Sequence, residues 1–293
     1  MKQILLATLL SLLFCPSVNA QIFWPRWYVQ PRPTASTSSC KDRECKTPPK
    51  EETKTPDKKN EIEPPKPKET VETLPVLSVA RSRFFAESVE IADECDRILD
   101  RLEERYGKPK VWKPFPIYFQ RYRGDGVAGY TLYQSGVVAR VVCFEPLSSA
   151  KGGTLDHELT HAFFFYFLDS NFDLFLNEGL AQNSEYRRRE SLRQTVYRRY
   201  NNGEFWDIAN LYGRNAYDNA LRIYHQGFSF VDFLVARGGS QWLASFMTEL
   251  VRTNDVDATL YRYYGYRNLK EAQRAWLDYV IYGQNRQSVE AIH

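Results

Sequence analysis

Two of the four histidines in the chain stand four residues apart, in the segment His157-Glu158-Leu159-Thr160-His161. Residues four apart on an α-helix lie one above the other, so both imidazole rings would face the same side and hold one cation. Glu158 would lie about 100° around the helix, where its carboxylate reaches a water on that cation without binding the cation itself. The pattern predicts a divalent metal site with an acid–base carboxylate beside it.

A third ligand is expected further along the chain, because hydrolytic zinc sites keep three protein ligands and leave one position to water. A helix over 154–168, a short turn and a returning helix over 176–190 would form an antiparallel pair. Glu178, near the start of the returning helix, would then face the two histidines, and a carboxylate in a first turn suits the helix dipole. The adjacent Gly179 lets this helix pack closely.

The two motifs together, His157 to His161 and Asn177 to Ala181, resemble the gluzincin metallopeptidases of the peptidase MA superfamily, which includes thermolysin-like enzymes. They are most similar to the secreted bacterial domains of unknown function in that group. The resemblance covers most of 84–283 and includes the segments 126–130 and 224–228.

The resemblance implies a role for each matching residue. Three residues would bind Zn²⁺: His157, His161 and Glu178. Glu158 would be the general base that activates the zinc-bound water. Glu185, seven residues past Glu178, would steady a zinc-bound histidine, or else be a solvated glutamate beside the arginines at 187–189. Gluzincins also stabilise the oxyanion with a Tyr or His from a later helix, and the sequence offers Tyr224 and His225 for this role.

Two departures from the large aminopeptidases of this group are visible. Only sixteen residues separate His161 from Glu178. The predicted strand region 129–144 also lacks the Gly-x-Met-Glu-Asn segment whose glutamate grips a substrate amine. These differences argue against an aminopeptidase, although an edge strand there could still pair with an extended substrate through main-chain hydrogen bonds.

The elements that must position these residues are predicted to form an α+β fold, with a small mixed sheet and a helix packed on a mainly helical, zincin-like C-terminal part. The first helix is predicted from Phe84 to Tyr106, on apolar residues at three- to four-residue steps. Strands are predicted over 116–120, 129–133 and 137–144. Helices are predicted over 154–168, 176–190, 219–237, 240–251 and 268–283.

Two further runs have structural interpretations. The apolar run Ala162 to Leu168 is predicted to be the buried half of the metal-binding helix and not a membrane insert. Six arginines of the following segment are predicted to form a solvated face, with a specific anion-binding site as the alternative: Arg187, Arg188, Arg189, Arg193, Arg198 and Arg199.

The N-terminal region is predicted to carry an export signal and a linker. Residues 1–20 are typical of a secretory signal peptide, with Lys2, an apolar stretch and a small-residue cleavage site that ends at Ala20. Residues 21–75 contain ten of the fifteen prolines and predict a disordered linker rich in Pro, Lys and Glu. The metallopeptidase domain is expected at 76–293, in an exported protein of the periplasm or the extracellular space.

In an exported protein, the cysteines can form disulfides. Signal removal leaves Cys40, Cys45, Cys95 and Cys143, an even number that permits two disulfides in an oxidising compartment. Cys40–Cys45 would close a small loop, and Cys95–Cys143 would tie a helix to a strand. Buried free thiols remain the alternative for the second pair.

Composition limits the classes of protein and partner that the chain fits. The chain has 293 residues with a formal net charge of +3, 43% hydrophobic and 26% charged residues, which is typical of a soluble globular protein. Nothing in this charge balance favours a nucleic-acid partner, and no transmembrane span is expected after signal removal. The sequence predicts an exported zinc peptidase acting on peptides or proteins. The alternatives are a catalytically silent envelope binding or scaffold protein on the same fold, and a zinc hydrolase of non-peptide amides.

Overall fold

The computed structural model describes residues 74–122, 126–213 and 220–290, with side chains placed up to residue 282. All of these residues belong to one unit, Glu69–His293. The predicted signal peptide, nearly all of the predicted linker, and Cys40 and Cys45 lie outside the described residues.

A small mixed sheet forms the N-terminal part of the described chain. Its strands are β1 (Val79–Ala80), β2 (Phe84–Ala86), β3 (Phe115–Phe119), β4 (Gly129–Gln134) and β5 (Val137–Cys143). The order across the sheet is β1-β2-β3-β5-β4. The β2/β3 and β3/β5 pairs are parallel, whereas β1/β2 and β4/β5 are antiparallel. Strand β4 therefore forms one edge of this sheet.

The rest of the described chain is helical. Its helices are α1 (Val89–Tyr106), α2 (Leu147–Ala150), α3 (Thr154–Leu168), α4 (Leu174–Ser184), α5 (Arg189–Asn201), α6 (Ala220–Gly238), α7 (Ser240–Thr253), α8 (Val256–Tyr264) and α9 (Leu269–Glu290). A small sheet followed by these helices confirms the predicted α+β class. Among the described residues, no helix combines the length and the apolar character needed to cross a membrane.

The sheet and helix α3 share one apolar core. Phe115 and Ile117 alternate on the buried face of β3, and Val141 is fully buried on β5. Phe163 and Phe164 of α3 are fully buried in the same cluster. The predicted burial of the apolar run in α3 is confirmed, and this burial fixes the helix against the sheet.

The first helix begins later than predicted. Phe84 lies in strand β2, where it pairs in parallel register with Phe115 and is fully buried. Ser88 then caps α1, because its hydroxyl accepts a hydrogen bond from the backbone N–H of Ile91 at 3.3 Å. The apolar spacing that included Phe84 with the helix was wrong at this residue, because its burial comes from the sheet.

The helix predicted over 176–190 is two helices in the structure. Helix α4 ends at Ser184, Glu185 leaves the helical conformation at ψ 74°, and α5 starts at Arg189. The guanidinium of Arg189 turns back and donates to the carbonyl oxygen of Asn183 at 2.6 Å, which satisfies one of the free carbonyls at the end of α4.

Helices α4 and α6 approach each other at two glycines. A Cβ atom on Gly179 would lie 2.4 Å from the carbonyl oxygen of Gly227, and one on Gly227 would lie 2.5 Å from that of Phe175. Only glycine allows this close approach. The predicted close packing at Gly179 is thus confirmed, with α6 as the partner helix.

The two cysteines of the described domain are buried free thiols. Cys95 lies in α1 and Cys143 at the end of β5, and neither side chain is exposed. The sequence left a Cys95–Cys143 disulfide and two buried free thiols open as alternatives, and the structure has the free thiols.

Candidate metal centre

Three side chains of α3 and α4 converge in the interior. His157 and His161 of α3 are 9% and 8% exposed, and Glu178 of α4 is 3% exposed. One ligand atom from each of these residues lies within 4.8 Å of the other two. The convergence that the spacing predicted for these three residues is present in the fold.

The antiparallel course of α3 and α4 produces this convergence. Near the start of α3, the carbonyl oxygen of Asp156 accepts a hydrogen bond from Ser184 at the end of α4. One turn further along α3, His161 contacts Asn177 in the first turn of α4. Asp173 caps α4 by accepting from the N–H of Leu176 at 3.2 Å, which fixes the register of the returning helix.

The distances within the cluster suit a tetrahedral ion. Oε2 of Glu178 lies 3.2 Å from Nε2 of His157 and 3.6 Å from Nε2 of His161. Two ligand atoms that each lie about 2.1 Å from a tetrahedral ion are about 3.4 Å apart. The two imidazoles and the carboxylate therefore fit the first coordination sphere of a divalent cation such as zinc, iron, nickel or copper.

Each histidine ring is oriented by an acceptor on its other nitrogen. Nδ1 of His157 lies 2.8 Å from Oε1 of Glu185, and Nδ1 of His161 lies 2.9 Å from Oδ1 of Asn177. Because both partners accept, each Nδ1 donates, and Nε2 is the ring nitrogen that would bind a metal. Glu185 is thus a buried partner of His157 and is not on a solvated face.

Charge is unevenly distributed around these rings. Burial alone would lower the pKa of His157, but hydrogen bonds to Glu178 and Glu185 outweigh it and raise that pKa well above its ordinary value. Burial alone would raise the pKa of Glu178, but the two histidines hold it well below its usual range. The cluster therefore favours positive charge at its centre, which a bound cation would supply.

Glu158 lies next to the cluster and is positioned by the edge strand of the sheet. Its Oε2 accepts a hydrogen bond from the hydroxyl of Thr131 on β4 at 2.9 Å. A Cβ atom on Gly129 would lie 3.1 Å from Cγ of Glu158, so this glycine leaves room for the side chain. Burial raises the pKa of Glu158, although the two histidines and Thr131 oppose the shift.

The two predicted oxyanion partners occupy different surroundings. The ring of Tyr224 on α6 lies 6.0 Å from the ring of His157, centroid to centroid. Burial lowers the pKa of His225, as do the positive charges of Arg199 on α5 and of Arg188, which precedes that helix. Nδ1 of His225 is buried without a hydrogen-bond partner among the described residues. The structure therefore brings the ring of Tyr224 next to a residue of the cluster.

Sequence reasoning did not assign a role to two residues that contact the cluster. Asn177 directly precedes Glu178, so its place in the first turn of α4 could have identified it as a partner of His161. Thr131 had no such signal, because its contact with Glu158 depends on how β4 packs against α3.

The predicted solvated arginine face was wrong for three of its six members, because Arg189, Arg193 and Arg199 are part-buried, the last with 24% of its side chain exposed and paired with Glu204 at 3.3 Å. Arg193 forms a bidentate pair with the buried Asp232, with distances of 2.9 and 3.0 Å. Arg189 is half-buried against Asn183. These two side chains point inward because α5 packs on α6 along that side.

No protein-family model matches the chain, and no curated protein matches its sequence.

Proposed function

We propose that the protein is an exported zinc-dependent peptidase of the gluzincin type. The observation that carries this proposal is the convergence of Nε2 of His157, Nε2 of His161 and Oε2 of Glu178, with the carboxylate of Glu158 beside them. Two imidazoles, one carboxylate and a neighbouring acid–base group make up a hydrolytic centre. Export is inferred from the signal-like segment 1–20.

Zinc is the proposed metal because three protein ligands of this type, without a thiolate, are typical of hydrolytic zinc sites. When bound, zinc would polarise a scissile carbonyl and lower the pKa of a water molecule toward neutrality. His157, His161 and Glu178 would hold the ion, and Glu185 and Asn177 would hold the two rings.

Glu158 would carry the protons. Its carboxylate would accept a proton from the attacking water and then donate it to the leaving amine. Burial raises the pKa of Glu158, which brings this group closer to the range in which it can both accept and release a proton. The Thr131 hydroxyl bond to Oε2 would keep the carboxylate oriented during both steps.

Tyr224 is the proposed oxyanion partner, because its ring lies beside His157. Its phenol would donate a hydrogen bond to the oxygen on which negative charge develops. A Tyr224→Phe variant should lower kcat more than it raises KM, since the lost bond acts mainly in the transition state. His225 would then serve another role.

A peptide substrate is supported by the position of β4. This strand is at the edge of the described sheet, and its Thr131 contacts Glu158. An extended peptide can add to such an edge through main-chain hydrogen bonds, with little dependence on its side chains. An amide bond bound there would lie near the acid–base carboxylate.

The test is a comparison of Glu158→Gln with the parent on an unbiased peptide library, at matched zinc content. Glu158→Gln should keep its zinc and lose cleavage by about 10²- to 10⁴-fold, because only the proton carrier is removed. Glu104→Gln, which removes an exposed glutamate of α1, is the matched control and should cleave like the parent.

Two results would overturn the proposal. Cleavage by Glu158→Gln at the parent rate would show that this residue is not the base. A zinc-loaded parent that cleaves no peptide would leave either a binding protein on the same fold or a hydrolase of non-peptide amides. A panel of small amides would separate these two.

A further inference from the structure

A second site lies on the other side of the metal helices. A cavity of about 290 Å³ opens between α1 and the end of α4. Its walls are formed by Arg101, Leu102, Arg105, Ser184, Tyr186 and Arg189. Leu102 and Ser184 close its inner end, whereas Arg101 and Tyr186 are exposed at its rim.

The arginines that line the cavity outnumber the carboxylates that pair with them. Arg101 forms an ion pair with Asp156, a fully buried residue of α3. Within the described part of the chain, neither Arg105 nor Arg189 forms an ion pair. Both guanidiniums instead donate to uncharged acceptors: they share Oδ1 of Asn183 at 2.8 and 3.1 Å, Nε of Arg105 donates to the hydroxyl of Ser240, and Arg189 also donates to the carbonyl oxygen of Asn183. Two like charges thus share an amide oxygen.

The acid nearest to Arg189 is already engaged. Asp232 accepts two hydrogen bonds from Arg193, one from the Tyr279 hydroxyl at 2.9 Å and one from Nδ2 of Asn183 at 3.3 Å. Nε of Arg189 is buried and has no hydrogen-bond partner among the described residues. A buried guanidinium N–H without an acceptor is costly, and an anion bound by Arg189 would offset part of this cost.

The electrostatics of Arg189 agree with this geometry. Burial lowers its pKa, and the neighbouring positive charges of Arg105 and Arg193 lower it further, against the opposing effect of Asp232. An anion between Arg105 and Arg189 would relieve this repulsion.

We propose that this cavity binds a phosphoryl group, held by the guanidiniums of Arg105 and Arg189. A phosphoryl group carries close to two negative charges at neutral pH, which matches the two arginines that have no carboxylate partner. The space beyond the guanidiniums, beside the ring of Tyr186, would receive the organic part of a phosphate monoester. Arg101 already stacks on that ring at 5.3 Å from its centroid.

Calorimetric titration of the full chain with two probes at constant ionic strength tests the site. Inorganic phosphate and phenyl phosphate are each titrated into protein stripped of metal with a chelator, so that neither can bind through zinc. Tighter binding of phenyl phosphate identifies a monoester as the ligand class, and equal or tighter binding of phosphate identifies the free ion. Arg189→Gln should weaken binding about 10- to 100-fold, the effect of losing a charge-assisted pair.

Matched variants separate the site from general charge attraction. Arg198→Gln removes an exposed arginine of the same helix and should bind as tightly as the parent. If Arg189→Gln does not fold, Arg105→Lys keeps the charge, loses the planar fork and should also weaken binding. The proposal is overturned if neither probe binds the parent, if Arg198→Gln weakens binding as much as Arg189→Gln, or if folded Arg189→Gln binds like the parent.

Discussion

The metal cluster and the arginine cavity are built on neighbouring residues and have opposite charge. Asp156 and Ser184 lie on the cavity side, whereas His157 and Glu185, the next residue in each case, belong to the metal cluster. Consecutive residues of a helix point in directions roughly 100° apart, so one stretch of backbone serves two sites. A substitution at these neighbouring residues should therefore be tested for both zinc binding and phosphate binding.

The two sites carry groups of opposite charge. Glu158, Glu178 and Glu185 surround two imidazoles, and Arg188 pairs with Glu185 at 3.2 Å. In the cavity, Arg105 and Arg189 share the amide oxygen of Asn183. The first site is therefore suited to a cation and the second to an anion.

The network around Asp232 provides the contrast. Its buried carboxylate is matched by one guanidinium, Arg193, and by the hydroxyl of Tyr279. Such a balanced cluster ties α5 and α9 to α6 and needs no further ion. Burial of charge alone does not distinguish a binding site from a structural one, whereas the balance of charge does.

The largest expected effect concerns the cation. Zinc at a free concentration about 1,000 times its Kd should raise the free energy of unfolding of the parent by about 4 kcal/mol. Glu178→Gln should lose most of this stabilisation, because a neutral amide replaces the ligand that faces both rings. Urea unfolding with and without zinc measures the difference, and equal stabilisation of both proteins would remove Glu178 from the ligand set.

A smaller effect, on ligand affinity, should show that the metal cluster and the arginine cavity bind their ligands independently. Glu185→Gln should weaken zinc binding about 10- to 100-fold, because the acceptor of His157 Nδ1 loses its charge. The same variant should bind phosphate like the parent. Arg189→Gln should give the reverse pattern. Competition with a zinc-binding dye, run beside the phosphate titration, checks both, and a variant that loses both ligands would show that the sites are not separable.

The smallest expected effect is a pH dependence of zinc affinity at the metal cluster. Hydrogen bonds to Glu178 and Glu185 raise the pKa of His157 above its ordinary value, although burial opposes them. Zinc must therefore compete with a proton on His157 over a wider pH range than at an ordinary imidazole. Zinc affinity should rise with pH by up to about tenfold per unit while one proton is released. Zinc Kd values measured from pH 6 to 8 test this, and a flat profile would contradict it.

Some features followed from the sequence because they depend on local spacing. Helix α3 begins and ends where predicted, at Thr154 and Leu168, between the glycines at 152–153 and the break at 169–171. Strands β4 and β5 also followed from local pattern, with a turn between them whose Gly136 takes a positive φ of 73°.

Other features depended on contacts between distant segments. Phe84 fits the helical spacing of α1, yet it pairs with β3 in the sheet. The end of α4 at Ser184 follows from the side chain of Arg189, which satisfies a carbonyl oxygen of α4. The local sequence predicts neither result, because the strand that pairs with Phe84 lies elsewhere in the chain and Arg189 lies across a turn from the end of α4.

The sequence by itself determined which atoms can bind a cation, since four-residue spacing places two imidazoles on one helix face and the motif after the turn adds a carboxylate. Only the tertiary structure decided what surrounds them: Thr131 against Glu158, Tyr224 beside His157, and the cavity of Arg105 and Arg189 behind the same helices. The physical reason is that helical geometry is set over a single turn, whereas charge balance in an interior depends on every element that packs around it.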